Sequence, residues 1–437
     1  MLTKISCNGF RSLSNFSMDI KPGINLLLGP NGSGKTNIIS LLDFIGKLAE
    51  LPLTEAVSAL GGAGAIFRKI GDTGYEDRVQ ISIYGYSKAS ARLYFKFKFE
   101  VEIELSADRD SVIYSKQELV VERCTKAKLK EPNIIPEIDV SAMLGADGKV
   151  KISCEINEKF EVSIPKSEIN KVLASLHDAD HSLLQLTPRI ISPLWIILFD
   201  IAGGLSLNVI PSKAKQAEDS TAPARIQPDG SGLYSTLRAA FKSEQSPQTR
   251  RLGIRFSRYR YFESDFPKNS FSKILDATKF ANSSINDIRI QNDPFDNKLK
   301  GSVVMADETK SELPISAMSD GTVKWLVLAT AIYTKSKLIS IEEPENYLHP
   351  LVQMEIIRIF REECGPDNFV FISTHSETLL NSAKPDEVVV VEFRSGRTTA
   401  TRVTNSKQLL REIKKTGFGL GFYYVSGALE GSSDEIS

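Results

Sequence analysis

Apolar and polar positions divide the chain into stretches of different period. Leu2–Ser6, Phe16–Ile20 and Ile24–Leu28 are short apolar runs with the length of strands. A helical period follows, with Ile38, Ile39, Leu41, Leu42, Ile45 and Leu48 on one face. From Val79 to about Cys124 the period becomes two. Leu93–Leu105 alternates Phe, Val and Ile with Lys and Glu, which predicts antiparallel strands with one wet face. Further strands are expected across Val150–Ile164 and helix over Lys166–Leu186, while residues 211–231 have the composition of a flexible loop. Beyond Leu313 helix and strand alternate. Helices are expected at Val323–Thr334 and Pro350–Glu363, and strands at Leu338–Ile341, Phe369–Ser373 and Val388–Phe393. Alternating units at both ends of the chain imply one α/β core split by a long insertion. No heptad pattern is sustained, which argues against a coiled-coil arm.

Composition narrows the class. The chain has 437 residues, and 54 basic side chains balance 54 acidic ones, so no global attraction to nucleic acid or membrane is expected. The four cysteines are widely separated, as expected of reduced thiols in a cytoplasmic protein. The first residues lack the apolar core of a signal peptide. The apolar run Ile190–Leu207 is broken by Pro193, Asp200, Gly203 and Gly204, so no membrane span is expected.

Between the third strand and the first helix stands Gly29-Pro-Asn31-Gly32-Ser33-Gly34-Lys35-Thr36, the G-x-x-x-x-G-K-[ST] pattern of a phosphate-binding loop. Glycines let the backbone curl so that its N–H groups face phosphate oxygens, and the following helix adds its dipole. Lys35 would reach the β/γ-phosphates and the Thr36 hydroxyl would hold Mg²⁺. The expected ligand is ATP. Three further pieces suit the same chemistry. Leu338–Ile341 runs into Glu342 and Glu343, where one acid orients Mg²⁺ and the other polarises the attacking water. His375 follows the strand Phe369–Thr374, at the strand end where ligands gather in an open α/β sheet. Ser319-Asp320-Gly321-Thr322 opens an apolar helix; it reads as an N-cap, and the same geometry is an anion site.

In this order the pieces resemble the Walker A, signature, Walker B and switch-histidine motifs of ABC-type ATPase heads. The wording Glu342-Glu343-Pro-Glu-Asn-Tyr-Leu-His-Pro350 with Ser373-Thr-His-Ser376 is similar to the RecF/SMC-like branch, and within it to the stand-alone ATPases near the OLD, Septu and PARIS antiphage families. Phe10-Arg11-Ser12, Asp229–Leu233 and Gly419–Gly431 also look like that group. The resemblance covers most of the first 75 residues and roughly residues 225–430. It implies an ABC-ATPase head with a P-loop parallel-sheet core, an antiparallel β subdomain and a helical insertion. The expected segments are 1–75, 76–165, 166–250 and 251–437.

The same resemblance implies that ATP binds between two subunits, with Ser319 and Gly321 of one facing Lys35 of the other. Asn31 through Asn37 and Arg11 would line the nucleotide. Thr36 and Glu342 would hold the metal, with Glu343 and His375 catalytic beside Lys35. Asn346 and Leu348 would couple the paired sites. The sequence departs from the family pattern in two ways. Glu342 replaces the usual aspartate, and the Q-loop glutamine has no clear counterpart, since Gln80 lies inside a strand pattern.

The expected role is an ATPase that senses phage and controls a separate effector, a nuclease or toxin. About sixty residues follow His375, and Val388–Ser437 shows no cluster of acids on strand ends, so a nuclease within the chain is not expected. The alternative is a RecF-like ATPase acting on DNA. Arg250, Arg251, Arg255, Arg258 and Arg260 interleave with aromatics, which suits phosphate contact and base stacking; a surface strand of alternating charge reads the same way.

Overall fold

The computed structural model describes residues 1–437 apart from 72–73, 107–110, 132, 146–148, 158–159, 161, 163, 177–179, 246–265, 294, 335–336, 366, 428 and 430–437. The arginine-rich stretch at Arg251, Arg255, Arg258 and Arg260 therefore lies outside the described residues, as does His177. The fold is α/β, and the chain forms two compact units. One comprises Met1–Gly204, Gly365–Phe371 and Lys384–Ser437; the other comprises Leu205–Cys364 and Ile372–Ala383.

The first unit holds a seven-stranded antiparallel sheet. Its order is Val150–Ile156, Ile138–Leu144, Val112–Cys124, Tyr94–Leu105, Arg78–Lys88, Leu2–Asn8 and Phe16–Asp19. The period-two stretch pairs as expected: Phe97, Phe99, Val101 and Ile103 are buried, while Lys98, Glu100 and Glu102 alternate with them on the wetter side. The first two strands join this sheet, with Ile5 opposite Ile83. Leu2–Asn8 and Phe16–Asp19 thus extend the sheet formed by the strands of residues 76–165.

Strand Gly23–Leu28 pairs in parallel with Val388–Arg394, which pairs antiparallel with Arg397–Arg402. Leu26, Leu27 and Leu28 are all buried, the continuous apolar run of a strand covered on both faces. Helix Lys35–Glu50 buries the whole expected face, and Phe44 with it. Among the described residues no helix is long and apolar enough to cross a membrane. The run Ile190–Leu207 is instead a short helix, Trp195–Ile201, and a strand, Leu205–Leu207.

In the second unit, Leu205–Leu207 pairs in parallel with Leu338–Glu342. Strands Ile285–Asp293 and Lys298–Met305 form a hairpin, flanked by Glu218–Asp219 and Glu312–Pro314. Helix Asp320–Tyr333 is buried all round from Val323 to Ile332, as an apolar helix without a polar face must be. Trp325 is wholly buried, and its indole N–H donates to the Ala277 carbonyl at 2.7 Å.

Residues 211–231 differ from the expected flexible loop. They form a helical turn at Pro211–Ala214 and the strand Glu218–Asp219, anchored by buried Ala214 and Ile226. The Asp229 carboxylate accepts from the Ser231 N–H and hydroxyl, at 3.0 and 2.7 Å. Sparse apolar anchors and side-chain-to-backbone bonds order a segment whose composition reads as loop.

Candidate functional site

The chemistry-bearing residues fall into two clusters, one in each unit. In the first unit the loop after strand Gly23–Leu28 turns on Gly32 (φ 80°) and Gly34 (φ 102°), conformations that glycine adopts without strain. Two glycines are also fixed by lack of space. A Cβ on Gly29 would lie 2.1 Å from the Val391 carbonyl oxygen, and one on Gly34 would lie 2.0 Å from Thr398 Oγ1. Gly32 meets nothing within 4 Å and faces open space. Gly34 is the N-cap of helix Lys35–Glu50, and no side chain caps that helix.

Lys35 is buried, and its ammonium donates to the carbonyls of Gly29 at 2.7 Å and Pro30 at 3.1 Å. Asn31, Gly32 and Thr36 are exposed. Ser33 is buried, and its Oγ has no hydrogen-bond partner among the described residues. The Asn37 side-chain amide donates to Ser12 Oγ at 2.6 Å. The Ser12 hydroxyl meets Thr398 Oγ1 at 2.7 Å, and Thr398 donates to the Ser33 carbonyl at 3.1 Å. This chain of bonds ties the loop to residues 25 positions before Asn37 and 365 after Ser33. Arg11, at φ 50°, donates to the Ala65 carbonyl and to Ser40 Oγ, at 2.8 and 2.7 Å. Gln80 pairs with Glu102 on the sheet surface at 2.7 Å.

In the second unit, strand Leu338–Glu342 ends in a tight turn. Glu343 has φ 42° and Tyr347 φ 70°, both in the left-handed region that non-glycine residues seldom adopt. Glu343 is held there from several sides. Its N–H donates to the Ser373 carbonyl at 2.9 Å, and its own carbonyl accepts from Lys324 Nζ at 2.8 Å. One carboxylate oxygen accepts from the Asn346 amide at 2.9 Å; the other lies 3.8 Å from His375 Nε2. Three expected residues, Glu343, Asn346 and His375, are thus neighbours.

Glu345 supports the same corner. Its Oε1 accepts from Thr374 Oγ1 at 2.7 Å and from the His375 N–H at 2.8 Å. Gln353 donates to the Leu348 carbonyl at 2.9 Å and accepts from Ser376 Oγ at 2.6 Å. His349 is the N-cap of helix Pro350–Glu363, its Nδ1 accepting from the Leu351 N–H. Ser319 caps helix Asp320–Tyr333, accepting from the Thr322 N–H at 3.3 Å, while Asp320 pairs with Lys215 at 2.6 Å. Gly321 lies close against the acid turn, since a Cβ there would lie 2.3 Å from the Tyr347 carbonyl oxygen.

Sequence reading did not single out Lys324, Glu345, Ser12 or Thr398 as supports of these clusters. Lys324 carried a signal, as the single charge inside the apolar run Val323–Ile332. So did Glu345, the third acid within four residues. Thr398 carried none, because its role depends on which strand lies beside Gly34.

Two family models match the chain. One, described as "AAA ATPase domain", covers residues 1–182; the other, "AAA domain, putative AbiEii toxin, Type IV TA system", covers residues 166–381. The first match includes Gly29–Thr36 and the second includes Lys324, Glu343 and His375, whereas Thr398 lies outside both. Local similarity extends to the DNA replication and repair protein RecF. The Erwinia tasmaniensis protein is 40% identical over 45 residues, 10% of this chain and 12% of that protein. The Rhodococcus erythropolis protein is 34% identical over 68 residues, 14% of this chain and 17% of that protein. The chain therefore matches only a small part of the length of these relatives.

Among solved structures, an Smc head bound to the C-winged helix domain of ScpA aligns with TM-score 0.48 and 15% identity, covering 93% of this chain and 99% of that one. The SMC head domain from Thermotoga maritima aligns with TM-score 0.37 and 11% identity, covering 92% and 99%.

Proposed function

We propose that the chain binds ATP with Mg²⁺ at Gly29–Thr36 and hydrolyses it, working as a homo-oligomer in which Ser319 and Gly321 of one copy complete the nucleotide site of another. The observation that carries the reading is the bond pattern of Lys35. A buried ammonium held by two loop carbonyls, at the start of a helix that no side chain caps, is a cation that can exchange those carbonyls for phosphate oxygens. The loop fits a polyphosphate in other respects. Gly32 is open, Gly29 and Gly34 bring backbone close, and Asn31 and Thr36 face solvent.

Within this reading Asn31 through Asn37 and Arg11 line the nucleotide, and Thr36 and Glu342 ligate the metal. Mg²⁺, when bound, neutralises charge on the phosphoryl oxygens. No group of three or more His, Cys, Asp or Glu side chains is placed to hold a metal among the described residues. Mg²⁺ is bound by one or two carboxylates together with substrate phosphates and water. Glu343 is the general base: its carboxylate sits at a strand end, partly exposed, oriented by Asn346. His375 donates a hydrogen bond to phosphate or to the attacking water. Its backbone is fixed by Glu345 for that purpose.

The test is phosphate release by the purified chain with ATP and Mg²⁺, alongside two variants. Lys35→Ala is expected to lose nucleotide binding, whereas Glu343→Gln keeps ATP bound, slows turnover by roughly 10²–10⁴-fold, and accumulates as an oligomer in light scattering. Nucleotide affinity retained in Lys35→Ala sinks the binding assignment, and turnover retained in Glu343→Gln moves the base elsewhere.

The output of such a cycle is controlled assembly, and the role proposed is the sensor ATPase of an antiphage system restraining a separate nuclease or toxin. The description of the matched family model, which names a toxin of a toxin–antitoxin system, supports an effector-linked role. A RecF-like role on DNA is the second reading, favoured by the local RecF identity. Salt-dependent DNA binding that is lost on replacing Arg251, Arg255, Arg258 and Arg260 favours DNA. No DNA binding, with co-purification of a neighbouring gene's nuclease or toxin, favours defence.

A further inference from the structure

Lys324 is out of place by the chemistry of its helix. It is 2% exposed, in a segment whose other residues from Val323 to Ile332 are buried and uncharged. Desolvating an ammonium costs several kcal/mol, and an apolar side chain of similar size at such a site is often neutral or stabilising. Burial pushes Lys324 down to about 8, partly opposed by the charges of Glu345 and Glu343. A lysine retained under that cost is explained by what it touches.

Its Nζ donates to the carbonyl of Glu343 at 2.8 Å, on the residue whose φ of 42° is the unusual conformation of the turn. The ammonium also lies 5.9 Å from the centre of the Tyr347 ring, the other left-handed residue there. Glu345 brings a second carboxylate to the same corner, with Oε2 buried and without a hydrogen-bond partner among the described residues. One helical turn earlier, Gly321 meets the Tyr347 carbonyl so closely that no side chain fits between them. Positions three apart share a helix face. The helix beginning at Ser319 is therefore fastened to the acid turn at two points, by close approach at Gly321 and by a charge-assisted bond at Lys324.

We propose that Lys324 is a positioning residue for hydrolysis: by holding the Glu343 carbonyl it maintains the left-handed backbone that aims the Glu343 carboxylate, and it links movement of the helix start at Ser319 to that carboxylate. The inference rests on Glu343 being the general base. Lys324 touches neither nucleotide nor water in this scheme, so its loss acts on turnover and spares binding.

The experiment compares Lys324→Met, Lys324→Arg and Glu343→Gln in the full chain, reading kcat and KM for ATP turnover, fluorescent-nucleotide affinity and Tm. Lys324→Met is expected to lower kcat by about 100-fold, the scale of a misaimed catalytic group, with nucleotide affinity within about two-fold and Tm unchanged or raised. Lys324→Arg, which keeps charge and donor, is expected to recover most of kcat. Wild-type kcat in Lys324→Met overturns the inference, as does a Lys324→Arg slower than Lys324→Met, or a loss of Tm and nucleotide affinity together with kcat. If Glu343→Gln is slow while Lys324→Met is fast, only the positioning role fails. If Glu343→Gln itself turns over like wild type, the base assignment fails and the positioning role falls with it.

Discussion

The phosphate-loop cluster and the acid-turn cluster reach rigidity by opposite means. Around Gly29–Thr36 the unusual backbone is carried by Gly32 and Gly34, residues that adopt positive φ at no steric cost. The acid turn places Glu343 and Tyr347, both bearing full side chains, in that same region of backbone space. Such residues cost about 1–3 kcal/mol each and persist only where surrounding bonds over-determine them. Hydrogen bonds to Ser373, Lys324 and Asn346 supply that restraint, together with the close approach of Gly321 to the Tyr347 carbonyl. In the proposed scheme, a loop that cradles a ligand is built from permissive residues, whereas a turn that aims a carboxylate cannot use glycine at that position, so its conformation is imposed by neighbours.

The sharpest way to break this comparison is to exchange the constraints. Gly34→Ala adds a Cβ against Thr398 at a φ that L-residues resist, for a combined cost of about 2–5 kcal/mol. Nucleotide binding should collapse, measured by equilibrium titration. Gly321→Ala places its Cβ against the Tyr347 carbonyl; turnover should fall by roughly 10–100-fold while affinity for ATP in the isolated chain is kept. Equal effects of the two on affinity would show that the clusters are not separable in function.

Thr398→Val is the milder probe of the first cluster. It removes a buried hydroxyl bonded to Ser12 and to the Ser33 carbonyl, costing about 1–2 kcal/mol in denaturant unfolding and a few-fold in nucleotide affinity. An unchanged midpoint would remove the buttress from the account of the loop. The smallest effect concerns pH. Lys324 in the folded chain sits at about 8, below its ordinary 10.5, so between those values the unfolded chain binds the extra proton. Its contribution to stability therefore rises as pH climbs through that window. The difference in unfolding free energy between wild type and Lys324→Met, followed from pH 7 to 10, should shift toward wild type; a flat difference would mean Lys324 is not perturbed.

Much of the first cluster was legible in the sequence because local pattern and chemistry coincide there. The glycine spacing, the strand before it and the helix after it lie within one continuous stretch, and the face from Ile38 to Leu48 is buried as its period requires. Helix Pro350–Glu363 was read to the residue because a proline opens it and apolar spacing carries it. Residues 211–231 misled, since a few buried anchors do not change a loop-like composition. The N-terminal strands were recognised, but period alone does not say which sheet a strand joins.

The sequence by itself determined most of the elements, the loop with its lysine, and the acids and histidine set at strand ends, because each depends on residues within a few positions of one another. Tertiary structure decided what holds them. Thr398 braces the loop because Arg397–Arg402 pairs beside Val388–Arg394, which places its hydroxyl under Gly34. Lys324 became a support for Glu343 because its helix packs on the acid turn. Pairing and packing join residues tens to hundreds of positions apart, and their energetics arise from burial and exact hydrogen-bond partners that a linear pattern does not contain.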